Sequence, residues 1–308
     1  MFQIFFGLTP FIFITVLGFV FGRIKIFDLS HAKVLNLFLF YIAVPALIIK
    51  FVAQSEITQI DLKQLISYFL MQGSLGLITF IIMSKFFNRL IQESIIWSLM
   101  VALSNHVTLL LPITKIYFGD EVITQVTSII LMDGVILLSV ITFFLELTTR
   151  KNIQALVFVR NLFLNPMILS ILIGVILFLL NINISGTPLE YTLSVLAACV
   201  SPVGLFAIGI TLSFYTSKVI NKITVSISIL KLIISPIVLL LIGLIIFDAG
   251  LPEKIPGAFF VSVAPCGHTA IVLCSAYNVS PENIVKALFI STFASIVTIF
   301  FAIQYLTV

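Results

Sequence analysis

Apolar residues run along this chain in blocks of about 20, separated by short polar connections. A helix rising 1.5 Å per residue needs about that many apolar residues to cross the hydrocarbon of a bilayer. The blocks predict ten spans, at 3–22, 33–53, 64–84, 93–117, 122–147, 158–180, 189–214, 222–247, 255–277 and 283–306. The expected fold is therefore an all-α polytopic membrane protein. Two blocks contain residues that a continuous helix resists. The ninth carries Ala264-Pro265-Cys266-Gly267-His268-Thr269. Proline removes a backbone donor and clashes with the preceding turn, and glycine adds conformational freedom. The fourth carries Ser104-Asn105-His106-Val107-Thr108 and then Pro112. At membrane depth, backbone freed this way must face protein or a water-filled cavity. A broken helix at a substrate site is one reading; a proline kink satisfied by neighbouring Ser and Thr is the other.

Composition changes the picture little. The chain is 61% hydrophobic and 9% charged, which excludes an ordinary soluble domain. Its formal net charge of +4 reads as membrane topology, with no nucleic-acid partner. Loops after odd-numbered spans, with their flanks, hold Arg23, Lys25, Lys33, Lys85, Arg89, Arg150, Lys151, Arg160, Lys218, Lys222 and Lys286. Loops after even-numbered spans hold Lys63, Lys115 and Lys254 among many acids. Eleven against three predicts odd-numbered loops in the cytoplasm and both termini outside. The run from Phe2 to Gly22 lacks a basic region and a cleavage site, so it is expected to remain as a span. Cys199, Cys266 and Cys274 all fall in apolar blocks and read as small core residues, with no metal or cofactor site.

The two halves echo each other. Pro10 precedes Gly18 by eight residues, and Pro166 precedes Gly174 by eight. Pro45 lies 35 residues after Pro10, and Pro202 lies 36 after Pro166. Ser104 and Ala264 each stand 13 residues before a tyrosine, Tyr117 and Tyr277. Five spans per half reverse the orientation of the second half, so the pattern predicts a five-plus-five inverted repeat, 1–150 and 151–308.

On these residues the chain resembles the auxin efflux carrier family, which includes plant auxin exporters and bacterial permeases for malonate, malate and similar acids. The stretches that carry the resemblance are Leu17-Gly18-Phe19-Val20-Phe21-Gly22-Arg23, Val44-Pro45-Ala46-Leu47, Ser104-Asn105 through Leu111-Pro112, and Phe118-Gly119-Asp120-Glu121. In the second half they are Asn165-Pro166, Leu230-Lys231-Leu232 with Pro236, and Ala264-Pro265 with Thr269-Ala270. The chain departs from the family pattern at Leu111, where glycine is usual, and His106 and His268 are not general family features. The resemblance implies the fold of bile-acid symporters and sodium/proton antiporters, with spans four and nine broken and crossed. It implies a scaffold from spans 1, 2, 6 and 7, and a mobile unit from spans 3, 4, 5, 8, 9 and 10 that works as an elevator. A homodimer in the bacterial inner membrane is also implied.

Crossed half-helices aim their N-terminal N–H groups at the membrane centre, which suits an anion. The expected substrate is thus a small organic anion, a mono- or dicarboxylate, with H⁺ or Na⁺ as coupling partner. Candidate binding residues are Asn105, His106, Thr108, Pro112, Pro265, Cys266, Gly267, His268 and Thr269. For the histidines, support of the helix breaks is the alternative role. Intramembrane charges are costly, so Asp133 and Lys231 are candidates for a charge pair or for the site lining; a structural salt bridge or snorkelling is the alternative. Lys50, Glu93, Lys115 and Glu146 lie near span ends and are expected to snorkel. The rival function is a cation/proton antiporter using Asp133; such antiporters typically pair carboxylates beside the crossing, and one mid-membrane carboxylate with none next to either break disfavours it. A channel should show a continuous polar lining, a sensor an attached signalling domain, and an enzyme an acid beside its histidines in sequence; none is expected here.

Overall fold

The computed structural model describes residues 2–54, 61–149, 164, 166–215, 220–247, 252–277 and 279–307. The expected loop cations Arg150, Lys151, Arg160 and Lys218 lie outside the described residues, as do Asn165 and the start of the sixth expected span. Among the described residues twelve α-helical stretches, some with π turns, follow one another, with one 3-10 turn at Pro252–Lys254 and no sheet. They are α1 (Phe2–Arg23), α2 (Leu29–Gln54), α3 (Leu62–Phe86), α4 (Ile91–Ala102), α5 (106–117) and α6 (120–149). After these come α7 (Pro166–Leu179), α8 (Pro188–Phe214), α9 (222–247), α10 (Pro256–Ser262), α11 (Thr269–Ala276) and α12 (Glu282–Thr307). Five of them, α2, α3, α8, α9 and α12, are long and apolar enough to cross a membrane by themselves.

Local chemistry explains where helices start and where they widen. Asp61 begins α3 by accepting from the backbone of Lys63 at 2.9 Å and Gln64 at 3.3 Å. Asn221 begins α9 through a reciprocal cap with Thr224. Three π turns, Leu39–Ala43, His106–Leu110 and Leu230–Ile234, each end two residues before a proline: Pro45, Pro112 and Pro236. A proline cannot donate to the carbonyl four residues back, and its ring crowds that carbonyl. A widened turn ahead of it relieves the clash without ending the helix.

Packing follows the small residues. Gly18 of α1 rests against the carbonyl of Phe206 on α8, and Gly209 of α8 rests against the backbone of Thr15 and Phe19. A Cβ at either position would meet backbone that cannot turn aside, so glycine is what lets these helices touch. Gly174 of α7 meets Val52 of α2 in the same manner. The buried apolar residues form one large cluster from α3, α4, α5, α6, α9, α10, α11 and α12, which Ile208 and Leu212 of α8 join. Two smaller clusters draw on α2, α7, α8 and the turn at Ile184.

Candidate functional site

Two helices stop at the centre of the large cluster and restart a few residues later. α4 ends at Ala102 because Leu103 turns extended, at φ −80° and ψ 129°, and α5 begins at His106. α10 ends at Ser262, ahead of Pro265, whose ring also disfavours helical backbone at Ala264. The two linkers meet as a short antiparallel bridge between Ser104 and Cys266. Asn105 N donates to Pro265 O at 2.9 Å, and Gly267 N donates to Leu103 O at 2.7 Å. Each broken helix thus satisfies part of the other's freed backbone, which buried polar groups require. Side chains satisfy more of it. Thr298 Oγ1 donates to Val263 O at 2.8 Å, Ser104 Oγ donates to Val261 O at 2.9 Å, and Cys266 N donates to Ser291 Oγ at 3.3 Å. Gly267 is required by contact: a Cβ there would lie 2.8–2.9 Å from the side chain of Leu103.

Beside the bridge is a cavity of about 40 Å³ lined by Ser104, Asn105, His106, Asp133, His268 and Thr269, with apolar residues of α2 and α6 closing it. That space holds roughly two or three waters. α5 and α11 both start here, so their first, unpaired N–H groups converge on it. Among the described residues, neither polar atom of the Asn105 amide has a hydrogen-bond partner, although the residue is buried. A buried amide left unsatisfied costs on the order of 1–3 kcal/mol. Groups held in that state at a cavity wall are suited to a ligand.

Asp133 enters from α6, at the first residue of a π turn. Its Oδ2 lies 2.8 Å from His106 Nε2, and Gln72 Nε2 donates to its Oδ1 at 2.5 Å. Gln72 also donates to Ala102 O, the last carbonyl of α4, at 3.3 Å. Lys231, fully buried on α9, donates at 2.7 Å to Oγ of Ser104, a residue of the cavity lining, and does not itself line the cavity. Asp133 and Lys231 therefore do not pair directly. Asp133 lines the cavity, and Lys231 holds the linker through Ser104.

Of the residues expected from sequence, the structure gathers Asn105, His106, His268, Thr269 and Asp133 around one space. Pro265, Cys266 and Gly267 build the bridge and do not line the cavity, because their backbone is turned toward Leu103 and Ser291. Pro112 follows the π turn of α5 and shapes that helix away from the cavity. The side chain of Thr108 lies outside the described residues. The expectation that no carboxylate adjoins either break is corrected: Asp133, distant in sequence, sits 2.8 Å from His106. Gln72, Ser104 and Tyr68, a buried tyrosine beside Ser104 and Asp133, were not singled out as site residues. An amide in the middle of the third span was the available signal for Gln72. Among the expected snorkelling residues, Lys50 reaches Ser194 Oγ at 2.8 Å, and Glu146 accepts from Tyr277 at 3.3 Å.

Described residues that are helical almost throughout, with helices of membrane length and two interrupted helices meeting at a buried polar cavity, define an integral membrane protein built like a transporter. The family profile described as membrane transport protein matches residues 3–303. The chain belongs to that family, the auxin efflux carriers. A comparison with curated proteins returns no match.

Proposed function

We propose that the protein is a secondary carrier of a small organic anion, with its substrate site at the cavity between the two helix breaks. The observation that carries this reading is Asn105: a buried, unpartnered amide at the mouth of α5, facing the N-terminal end of α11. Helix N-termini and a neutral amide can hold a carboxylate without a permanent cation in the wall. At about 40 Å³ the cavity must widen to admit even a small acid, which suits a carrier that alternates between states.

The reading includes ten spans in a five-plus-five inverted repeat and an elevator motion. Gly18 of α1 packing on α8 has its counterpart in Gly174 of α7 packing on α2, as two inverted halves would pair. The separation of the buried apolar residues into a large cluster and smaller ones around α2, α7 and α8 supports a mobile unit moving against a scaffold. The excess of Lys and Arg in odd-numbered loops supports both termini outside, in a bacterial inner membrane, and the family resemblance supports a homodimer.

A second reading, a cation/proton antiporter, is favoured by Asp133 lying beside the break. A thermal-shift series of the purified carrier against malonate, malate, succinate, lactate, indole-3-acetate and Na⁺ separates the two, since ligands of the folded state raise its melting temperature. A carboxylate is expected to shift it. Asn105→Ala should weaken that binding by roughly tenfold to a hundredfold, the worth of a hydrogen bond to a charged group. A shift by Na⁺ alone, lost in Asp133→Asn, would favour the antiporter. Full carboxylate binding by Asn105→Ala would remove Asn105 from the site.

A further inference from the structure

We propose that His106 and Asp133 form the proton-binding site of this carrier, coupling one proton to one monocarboxylate, a role that rests on the carrier reading above. The geometry fixes the protonation chemistry. Gln72 donates to a carbonyl, Ala102 O, and to Asp133 Oδ1, so its nitrogen is correctly placed and Oδ1 must accept. That leaves Oδ2 for His106 Nε2, 2.8 Å away. In the deprotonated pair Nε2–H donates to the carboxylate, and the pair carries one negative charge. The next proton ends with a hydrogen on Nδ1 in either microstate. The imidazolium carries it beside a carboxylate, and a protonated Asp133 leaves Nε2 accepting and Nδ1 as the donor. Nδ1 is buried, has no partner among the described residues, and belongs to a side chain on the cavity wall next to Asn105. Protonation therefore neutralises the pair and leaves an unpartnered donor on a side chain of the cavity wall.

Charge balance gives the coupling its sign. The titratable and charged groups near the pair are Lys231 from α9 and Tyr68 from α3 on the Asp133 side and His268 from the second break on the His106 side, with Cys266 beside Lys231. With the Lys231 ammonium offset by the Asp133 carboxylate, the empty centre is neutral. A bound monoanion alone leaves one negative charge buried, and a bound proton alone leaves one positive charge. Both together restore neutrality. Uncompensated charge at membrane depth is costly, so each ligand favours the other, and by linkage the effect is reciprocal.

The test measures affinity for lactate between pH 5 and 8 in purified wild-type protein, His106→Gln and Asp133→Asn, with ¹⁵N-histidine spectra of the same samples. Wild-type affinity should rise by up to about tenfold per pH unit of acidification, as uptake of one proton per anion requires. The two variants should move in opposite directions. His106→Gln keeps a donor to Asp133 but removes the Nδ1 donor that the added proton creates, so lactate should bind more weakly than in wild type, most of all at low pH. Asp133→Asn removes the negative charge of the pair, so binding should be tight and nearly flat with pH. Variants that shift affinity in the same direction would overturn the proposal. The chain has three histidines, so His106→Gln identifies the His106 signal. Protonation at Nδ1, moved by Asp133→Asn, supports the proton site even if no carboxylate of the series binds, in which case the carrier reading falls. A His106 signal that never changes between pH 4 and 9 overturns the proton site whether or not lactate binds.

Discussion

Replacing Gly267 by alanine tests whether the contact between the two linkers is as close as the structure draws it. A Cβ at this position would stand 2.8 Å from Leu103 Cγ and 2.9 Å from its Cβ and Cδ2. Carbon atoms prefer about 3.5–4.0 Å, so something must move by roughly 0.6–1 Å. A rotamer change can carry Cγ and Cδ2 away but cannot move the Cβ of Leu103. The backbone is also pinned, because Gly267 N donates to Leu103 O at 2.7 Å. Overpacking of this kind costs about 1–3 kcal/mol. Leu103→Ala alone opens a hole at a residue only 5% exposed and should cost about 2–5 kcal/mol. Combined, the two changes remove two of the three close contacts and fill part of the hole. The double variant should therefore be more stable than the sum of the singles by about 1 kcal/mol or more. Unfolding of purified protein in detergent, followed through Trp97, which packs in the same cluster, measures all four corners of the cycle. Additive losses would falsify the close approach and, with it, the geometry assigned to the crossing.

Gln72→Leu should destabilise by about 1.5–3 kcal/mol, since it strips the charge-assisted donor from Asp133 and a donor from Ala102 O, and the same unfolding assay reads it. In a transport assay with reconstituted protein, Lys231→Ala should impair uptake more than Lys50→Ala; Lys231 is fully buried and bonded to the linker, and Lys50 is 26% exposed at a helix end. Equal effects would undo that ranking. The Asp28 cap gives a pH prediction at the start of α2. Hydrogen bonds from the Ser30 hydroxyl and from His31 hold its carboxyl well below the usual carboxylate range. A depressed folded-state pKa stabilises the helix start above about pH 4, the unfolded value, and that support is lost as pH falls below it. Protection of the amides of residues 29–32, taken relative to their intrinsic exchange rate at each pH, should fall on acidification in wild type and already be low at pH 7 in Asp28→Ala.

The sequence by itself determined the class of molecule and the places where its helices fail. Blocks of about 20 apolar residues leave no alternative to membrane helices, because lipid offers the backbone no other partner. Pro265 with Gly267 in one block, and Ser104 to Pro112 in another, mark the breaks by rules that act within a few residues. The caps and the π turns ahead of Pro45, Pro112 and Pro236 are local in the same sense. What tertiary structure alone decided is which side chains share the cavity. Asp133 lies 27 residues from His106 in sequence, and Gln72 lies 61 from Asp133; nothing in the spacing of either pair foretells contact. Lys231 could have reached Asp133 or Ser104, and the choice was made by how α9 packs against the bridge. Hydrophobic periodicity is blind to such decisions, because an apolar helix rotated about its axis still satisfies the lipid. The rotation is fixed by close contacts such as Gly18 on Phe206 and Gly267 on Leu103, and those contacts exist only once the chain has folded.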